Sequence, residues 1–290
     1  MIQKIYLTLI LSGCLVIHVF TQNVGVTNPA VRNNPKFATI NDWEAYMRNK
    51  TTSGEKVLPE EYAEAAKVSF SEKNFILSAV WFEEARTGNY SDAEMYAMLA
   101  AIYRELKDFT GETKTMGYYL QNFPDGTASG IFKERLFGFS VAEKNYEKIL
   151  QSWIALNDTS RTKEGLLNAF FLIQKEKNMK ESCDSLAKKI LAVNPRHIAA
   201  LEWLGEKYYW LGENLYLQSY KEYERNKTSL NYLKLTQNLE VVTADFNKAL
   251  TFYETLWGIN PTPRYASFMA NIHSRFKNKQ KTDYYKGFIK

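Results

Sequence analysis

Cysteine, histidine and proline are scarce in this sequence, which has 2 cysteines, 3 histidines and 7 prolines in 290 residues. Two cysteines exclude a small fold stapled by disulfides, and no Cys-x-x-Cys or Cys–His spacing suited to zinc occurs. An HExxH motif and a complete Gly-rich phosphate loop are also absent. The sequence therefore predicts no metal, no cofactor and no small-molecule substrate.

A strong charge imbalance is also lacking. The chain has 37 Lys and Arg residues against 32 Asp and Glu, a net charge of +5. This excess is mild and dispersed, whereas nucleic-acid binders carry basic patches or stripes, so we expect no nucleic-acid partner. No useful stretch alternates between apolar and polar residues with period two, which excludes an extended sheet. These absences favour an all-α fold.

Glu, Cys and His residues, which act in the catalytic sites of other proteins, have structural explanations in this chain. Glu60 and Glu61 are adjacent, so on a helix they point about 100° apart and cannot converge on one bond. Cys183 occupies a position that favours a small buried residue. His197 stands at a helix start and His273 within a helix, and both are interpreted as structural or surface residues. We therefore predict a protein with no catalytic residues.

The first 21 residues have the layout of a secretory signal peptide. A basic start is followed by an apolar run over residues 5–20 and then by the polar residues TQN. Val19 and Thr21 fit the small-residue positions before a cleavage site at Gln22. An uncleaved membrane anchor is the alternative, although the run is shorter than the ~20 residues that span a bilayer. The sequence predicts export, to the periplasm or membrane of a bacterial envelope.

A second alternative rests on Cys14. The quartet at residues 11–14, Leu-Ser-Gly-Cys, resembles a bacterial lipobox, in which the cysteine thiol is lipidated. Against this, residues 15–20 are still apolar, whereas a lipidated cysteine normally leads into a polar tether. Cleavage at Gln22 and a membrane tether through Cys14 therefore both remain open.

The remainder divides into a tether and a repetitive region. Residues 22–58 are rich in Asn and loop-forming residues and contain one short helical patch around Trp43 with Asn41 and Asp42 as caps, followed by a loop at residues 51–56. From residue 59, patterns recur at a step of 34 residues, as in Tyr62 and Tyr96. The predicted repeats begin at Pro59, Ala93, near Gly130, at Glu164, Ile198 and Pro263.

Residues 195–261 contain the clearest repeat and an insertion. The sequence at its start predicts a helix that ends at Gly212 and has one face made of Leu201, Leu204, Gly205, Tyr208 and Leu211. The sequence at its end predicts a second helix with a face made of Ala249, Tyr253 and Leu256. Between them, residues 213–245 contain no Gly or Pro. We predict that both helices are lengthened and meet near residues 225–229, with Tyr216, Tyr220 and Tyr223 as packing residues. An extra short helical pair is the alternative.

These offsets of large, small and aromatic residues resemble the tetratricopeptide repeat (TPR), a helix-turn-helix unit of about 34 residues. The resemblance covers residues 59–290 and implies an α-solenoid of about six TPR-like repeats, with an elongated hairpin in the fifth. It also implies a non-catalytic protein-protein interaction adaptor that binds a peptide or protein segment in its concave face. The candidate contact residues are Tyr96, Arg104, Lys207 and Trp210.

Two other functions remain open. A lipid-anchored component of an outer-membrane assembly or secretion complex requires lipidation of Cys14. An enzyme on a helical scaffold requires a convergent pocket of charged groups, which the sequence does not indicate. The identity of the protein partner does not follow from the sequence.

Overall fold

The structure, a computed structural model, describes residues 37–289, which fold almost entirely into α-helices. Within these residues there are fourteen helices, labelled α1 to α14 in chain order, and no β-strand. The predicted all-α fold class is therefore confirmed. The chain divides into two compact units, Met1–Asn157 and Asp158–Lys290. The predicted leader with Cys14, and residues 22–36 of the predicted tether, lie outside the described residues.

The first unit consists of one leading helix followed by three helical hairpins. Trp43 and Met47 are the buried residues of the leading helix, which contacts the first hairpin. Each hairpin also contacts the next one, so apolar faces that one helix pair cannot cover alone are covered by its neighbour. The helices are α1 (Ile40–Thr52), α2 (Pro59–Ser71), α3 (Phe75–Thr87), α4 (Ala93–Glu105), α5 (Phe109–Asn122), α6 (Ser129–Glu143) and α7 (Tyr146–Ala155).

The second unit consists of a single helical turn followed by three further hairpins, of which the middle one is much longer. Consecutive hairpins are again in contact. The one-turn helix α8 was not predicted from the sequence. The helices are α8 (Asp158–Arg161), α9 (Glu164–Glu176), α10 (Lys180–Val193), α11 (Ile198–Arg225), α12 (Ser229–Ile259), α13 (Pro263–Arg275) and α14 (Lys279–Lys286).

The hairpins confirm the predicted helix-turn-helix repeats. Five of the predicted starting residues are the first residues of helices, and the repeat predicted near Gly130 begins one residue earlier. The small residues Ala85 and Ala249 are fully buried, which lets paired helices approach closely. Tyr253 fills the space toward the following hairpin, where its ring stacks on Phe268 at 4.7 Å. The described part of the chain is thus a series of six TPR-like hairpins.

Four of the hairpin turns share a local structure that explains where their helices end. A lysine in the left-handed region, with φ between 55° and 62°, closes the first helix. An Asn or Asp follows at once, and its side chain accepts a hydrogen bond from a backbone N–H of the second helix. Because the left-handed residue reverses the chain and the next one caps the new helix, two or three residues suffice to form the turn. The four pairs are Lys73–Asn74, Lys107–Asp108, Lys144–Asn145 and Lys277–Asn278.

The fifth hairpin is elongated as predicted. Helices α11 and α12 contain 28 and 31 residues and are joined at residues 226–228. The alternative of an inserted short helical pair is therefore wrong. Along the elongated part, Asn238 Nδ2 donates to Ser219 Oγ at 2.9 Å. The predicted tyrosine stripe is divided, because Tyr216 and Tyr220 contact each other whereas Tyr223 contacts Tyr232.

Two details predicted for α11 are wrong. Gly212 does not stop the helix but lies within it, facing Phe246 of α12. A Cβ atom at this position would be 3.0 Å from the Phe246 ring, so glycine permits the close approach of the two helices. Leu211 was predicted on the packed face, but it is 48% exposed, whereas the neighbouring Gly212 is buried.

The beginning and end of α1 also differ from the prediction. Its N-cap is Thr39, whose Oγ1 accepts from the backbone N–H of Asp42, while Asp42 Oδ2 accepts from the backbone N–H of Thr39 at 2.9 Å. Neither Asn41 nor Asp42 is the cap, although Asp42 completes this capping box. At the other end, Thr51 and Thr52 are helical, so the loop begins two residues later than predicted.

Candidate interaction surface

The candidate interaction surface lies on the first helices of the second and third hairpins of the second unit. On α11, the buried Gly205 and Gly212 lie on the side that faces α12. Residues about half a turn away therefore face outward, and these include the half-buried Trp203 and the exposed Trp210. We call this region the first-helix surface, defined by Trp203, Glu206, Lys207 and Trp210 of α11 together with Arg264 of α13.

Trp210 is the most exposed aromatic residue of this surface, with 50% of its area accessible. Its ring stands edge-on to Tyr209 at 5.1 Å, and Tyr209 is itself buried against Phe268 at 4.8 Å. The Tyr209 hydroxyl accepts a hydrogen bond from Asn271 Nδ2 at 3.3 Å, and burial raises its pKa. Trp210 is thus an aromatic side chain that packs on the buried Tyr209 with one side and is exposed to solvent on the other.

Lys207 and Trp203 share one acceptor on the preceding hairpin. The carboxylate of Asp184 on α10 accepts from Trp203 Nε1 at 2.8 Å and forms an ion pair with Lys207. The Trp203 ring also packs edge-on to Phe171, and Lys175 lies 5.9 Å from its centroid. Lys207 is therefore already neutralised and helps to fix α11 against α10.

Arg264 performs the corresponding role toward the following hairpin. Its guanidinium donates to Glu202 Oε1 at 3.1 Å and forms a second ion pair with Glu206. Glu202 also accepts from the Tyr265 hydroxyl at 2.7 Å, and burial together with this hydrogen bond raises the pKa of Tyr265 to about 12. Because Arg264 is 54% exposed, the ion pairs contribute little stability but fix the positions of the charged groups.

A further ion pair lies one helical turn beyond Trp210. The guanidinium of Arg275 on α13 donates through Nε to Glu213 Oε2 at 3.1 Å and lies 4.1 Å from the Tyr216 ring. The hydrogen bond with Glu213 raises the pKa of Arg275. Glu213 is buried, so this pair is shielded from solvent better than the pairs of Arg264.

The structure gives the two predicted contact residues of the first unit internal partners. Tyr96 is buried on α4, with its ring near those of Tyr118 and Phe123. Arg104 donates through Nε to Glu112 Oε1 at 2.8 Å, and Glu112 is completely buried. Arg135 of α6 donates to the same carboxylate at 2.8 and 3.0 Å. The four predicted residues thus lie in two places, and their assignment to partner binding stays a prediction.

A charged cluster that was not predicted lies between α2 and α4. The ammonium group of Lys67 is 3.0 Å from Glu64 Oε1 and 3.0 Å from Glu94 Oε2. Burial alone would lower the pKa of Lys67, but the hydrogen bonds with Glu94 and Glu64 outweigh it and raise the pKa to about 12. Only the Glu64–Lys67 spacing of three residues was visible in the sequence.

The cysteine and histidines of the described residues occupy structural positions. Burial raises the pKa of the Cys183 thiol, which keeps it in the unreactive protonated form. His197 caps α11, where its Nδ1 accepts from the backbone N–H of Ala200 at 3.3 Å. His273 is buried on α13.

Among residues 37–289 no three His, Cys, Asp or Glu side chains are grouped so as to hold a metal ion. None of the helices in this range has the length and hydropathy needed to cross a bilayer.

Comparison with solved structures finds similar arrangements of helical hairpins. A protein from Bacteroides ovatus ATCC 8483, for which a protein-binding role has been suggested, matches 77% of this chain and 99% of its own, with 15% identity and a TM-score of 0.45. The C-terminal part of a TPR repeat-containing protein from Cytophaga hutchinsonii matches 86% and 88%, with 10% identity and a TM-score of 0.41. PilW, a type IV pilus biogenesis factor, matches 79% and 90%, with 12% identity and a TM-score of 0.32.

The similarity is one of fold, to tetratricopeptide repeat proteins. No family model matches the sequence, and no curated protein does.

Proposed function

We propose that this protein is a non-catalytic scaffold that binds a segment of another protein along the first-helix surface of its second unit. The observation that carries the proposal is Trp210, a half-exposed indole on a buried aromatic support. Tryptophan is enriched among the residues that dominate binding energy in protein interfaces, because a large rigid side chain buries much area at little entropic cost.

The charged groups around Trp210 favour a peptide over a charged ligand. Lys207 is paired with Asp184, and Arg264 is paired with Glu202 and Glu206. A highly charged ligand would have to displace these carboxylates. A protein segment requires only an apolar side chain for Trp210 and hydrogen-bonding groups for the paired rim.

The proposal includes export to a bacterial cell envelope, because residues 1–21 have the layout of a signal peptide. Two forms are distinguishable: a periplasmic form that begins at Gln22, and a lipid-anchored component of an outer-membrane assembly or secretion complex that begins at Cys14. Mass spectrometry of the mature N-terminus separates them, because only the second carries acyl chains on Cys14. A mature chain that retains residues 1–21 unmodified would contradict both forms.

Site-specific photocrosslinking in intact cells tests the binding surface. A photoreactive residue at position 210 should give one discrete adduct with another protein, whereas the same residue at the exposed Lys189 on α10 should not. Equal adducts at both positions, or none at position 210, would count against the proposal.

A binding measurement with the purified crosslinked protein tests the role of Trp210. Trp210→Ala should weaken the binding by about 30-fold, the cost of losing an interface hot spot. Trp210→Phe, which keeps an aromatic ring, should lose much less.

A further inference from the structure

The net positive charge of the chain is concentrated in one segment. Residues 275–290 contain six Lys and Arg residues and a single acidic residue, Asp283, so they account for the whole net charge of +5. The rest of the chain is neutral overall, and the excess is not dispersed as we expected. The described part of this segment forms the end of α13, the turn that follows it and α14.

Most of this positive charge is not neutralised within the described part of the chain. Arg275 forms an ion pair with Glu213, but the four lysines of the segment form no ion pair with another described residue. The acidic residues of the region are Asp283 and Glu254, whose charge acts on Tyr285. Positive charge is therefore in excess here and available to a partner. The four exposed lysines are Lys277, Lys279, Lys281 and Lys286.

Large apolar side chains are exposed beside these lysines. Tyr284, Phe288 and Ile289 have 55%, 44% and 41% of their area accessible. The backbone N–H of Phe288 donates to the Tyr285 carbonyl at 3.0 Å, and that of Ile289 donates to the Lys286 carbonyl at 3.2 Å. The two residues that follow α14 are therefore held in place. We call the four lysines and these three exposed residues the α14 surface.

The exposed rings of the α14 surface pack on a partly buried aromatic base. The Phe288 ring stands edge-on to Trp257 of α12 at 5.0 Å and to Tyr284 at 5.3 Å. Trp257 also contacts Tyr285 at 5.6 Å, and Tyr285 stacks on the buried His273. The surface thus presents a preformed apolar centre. A merely solvated polar face would account for the lysines but not for the exposed rings beside them.

This combination of groups favours a lipid surface over other anionic partners. At 100° per residue, Lys281 lies on one side of Tyr284 on α14 and Lys286 lies on the other. Lysines with flexible stems reach lipid phosphates while aromatic residues lie at the level of the headgroups. Recognition of a discrete phosphate or carboxylate favours arginine instead, and Arg275 is already in an ion pair. A nucleic acid or an acidic peptide offers no apolar layer for Ile289.

We propose that the α14 surface binds a membrane that contains anionic phospholipids. Tyr284, Phe288 and Ile289 then lie among the headgroups, and the lysines lie against the phosphates. Each lysine near an anionic leaflet increases partitioning by about fivefold, so the four together provide a strong preference for anionic lipid. The inference does not depend on Trp210, nor on whether residues 1–21 are cleaved or lipidated, because α14 is present in every case.

Sedimentation with vesicles tests the binding. We would use the chain from Gln22 onward, which contains all the described residues and lacks the apolar residues 5–20, since these would bind lipid by themselves. It should bind vesicles of phosphatidylcholine with about 30% phosphatidylglycerol more than 100-fold more tightly than vesicles of phosphatidylcholine alone. About 0.5 M NaCl should abolish the binding, because salt screens the attraction between the lysines and the headgroups.

Removal of two lysines tests the electrostatic part of the contact. Lys279→Gln combined with Lys286→Gln should weaken binding to the anionic vesicles by about 30-fold. Lys188→Gln combined with Lys189→Gln is the matched control, because it removes two exposed lysines of α10 and changes the net charge equally. The control should leave binding nearly unchanged. Equal weakening in both variants would mean that total charge, and not the α14 surface, attracts the protein to lipid.

Phe288→Ser tests the apolar part of the contact. It should weaken binding to the anionic vesicles by about tenfold, because the ring no longer enters the headgroup layer. Phe109→Ser, which removes a 57% exposed ring from α5, is the matched control and should have no effect. Thermal unfolding should confirm that both variants are folded, as expected for exposed positions.

Three results would overturn the inference. The first is no binding to either kind of vesicle, or equal binding to both. The second is a Phe288→Ser variant that binds as well as Phe109→Ser, which would exclude an apolar contact with the bilayer. The third is binding of polyglutamate or of a duplex oligonucleotide as tightly as anionic vesicles, which would assign the surface to an acidic protein or to a nucleic acid.

Discussion

His273 is a buried histidine without a hydrogen-bond partner for its Nε2 atom. Its ring stacks on Tyr285 with an interplanar angle of 4° and a centroid distance of 5.7 Å. Burial lowers the pKa of His273 below its usual value, and the nearby Lys281 lowers it further. The folded protein therefore holds this imidazole in the neutral form under conditions in which an exposed histidine would take up a proton.

This lowered pKa makes stability depend on pH in a defined direction. As the pH falls below about 6.5, the unfolded chain binds a proton at position 273 before the folded chain does, so the free energy of unfolding decreases. The loss for one such group is at most about 1.4 kcal/mol per pH unit and ends below the folded pKa. His273→Phe, which keeps a ring against Tyr285, should reduce this slope in urea unfolding measured between pH 7.5 and 5.

His197 provides the matched comparison for this prediction. Burial lowers its pKa as well, so it contributes a slope of the same sign. His197→Asn, which retains a capping side chain, should remove that second contribution, and the double variant should show the least dependence on pH. An unchanged slope in His273→Phe would mean that position 273 does not titrate differently in the folded and unfolded states.

At the residue scale, the sequence identified burial better than it identified partners. Cys183 and Ala85 are buried as their repeat positions indicate. Tyr96 was considered for a groove, yet it lies against aromatic residues of the next helix. Arg104 is a predicted contact residue, yet it donates to Glu112, which follows it by eight residues on the paired helix. Such partners depend on how two helices are rotated about their axes, and a 34-residue register does not specify that rotation.

At the scale of elements, the hairpin turns explain why the helix boundaries were largely predictable. The recurring Lys followed by Asn or Asp is a visible sequence signal for a left-handed residue and an N-cap. The signal is weak, because lysine is a good helix former and glycine is the expected residue at a left-handed position. At position 212 a glycine predicts the end of a helix, but in the structure Gly212 lies within α11 and permits close packing against α12.

Asp108 allows a test of this turn. Its Oδ1 accepts from the backbone N–H of Gly111 at 2.9 Å at the start of α5. Asp108→Ala removes the cap and should lower the free energy of unfolding by about 0.5–2 kcal/mol. Asp108→Asn should retain most of it, because asparagine caps the equivalent helices at residues 74, 145 and 278. The idea fails if urea unfolding shows the same midpoint for the alanine and asparagine variants.

The elongation of one hairpin was predictable for a simple reason. Residues 213–245 contain no Gly or Pro, so nothing ends the flanking helices, and α11 and α12 continue until they meet at residues 226–228. Helix α12 also has an exposed apolar face, which was not recognised in the sequence. Apolar residues at helical spacing look the same in the sequence whether they are buried or exposed, and only the burial of Leu235, Val242 and Phe246 shows which face of α12 packs within the chain.

At the scale of the whole molecule, the architecture predicts how far a local defect spreads. Within each unit, consecutive hairpins are in contact, so the stability of a unit is close to a sum of hairpin and interface contributions. A defect in one hairpin should therefore destabilise adjacent hairpins and leave distant ones folded. The spread of a defect can be followed by comparing the two compact units, because each contains buried core residues.

Ala249 on α12 is the position at which we would test this. It is completely buried, so Ala249→Asp places an unpaired carboxylate in the core and should cost on the order of 3–5 kcal/mol. Hydrogen exchange followed by mass spectrometry should then show loss of amide protection in α9 to α14, while α2 to α5 keep their native protection. Asn247→Asp, which adds the same charge at an exposed position two residues away, should leave protection unchanged throughout. Uniform loss of protection along the chain in Ala249→Asp would show instead that the six hairpins unfold as one cooperative block.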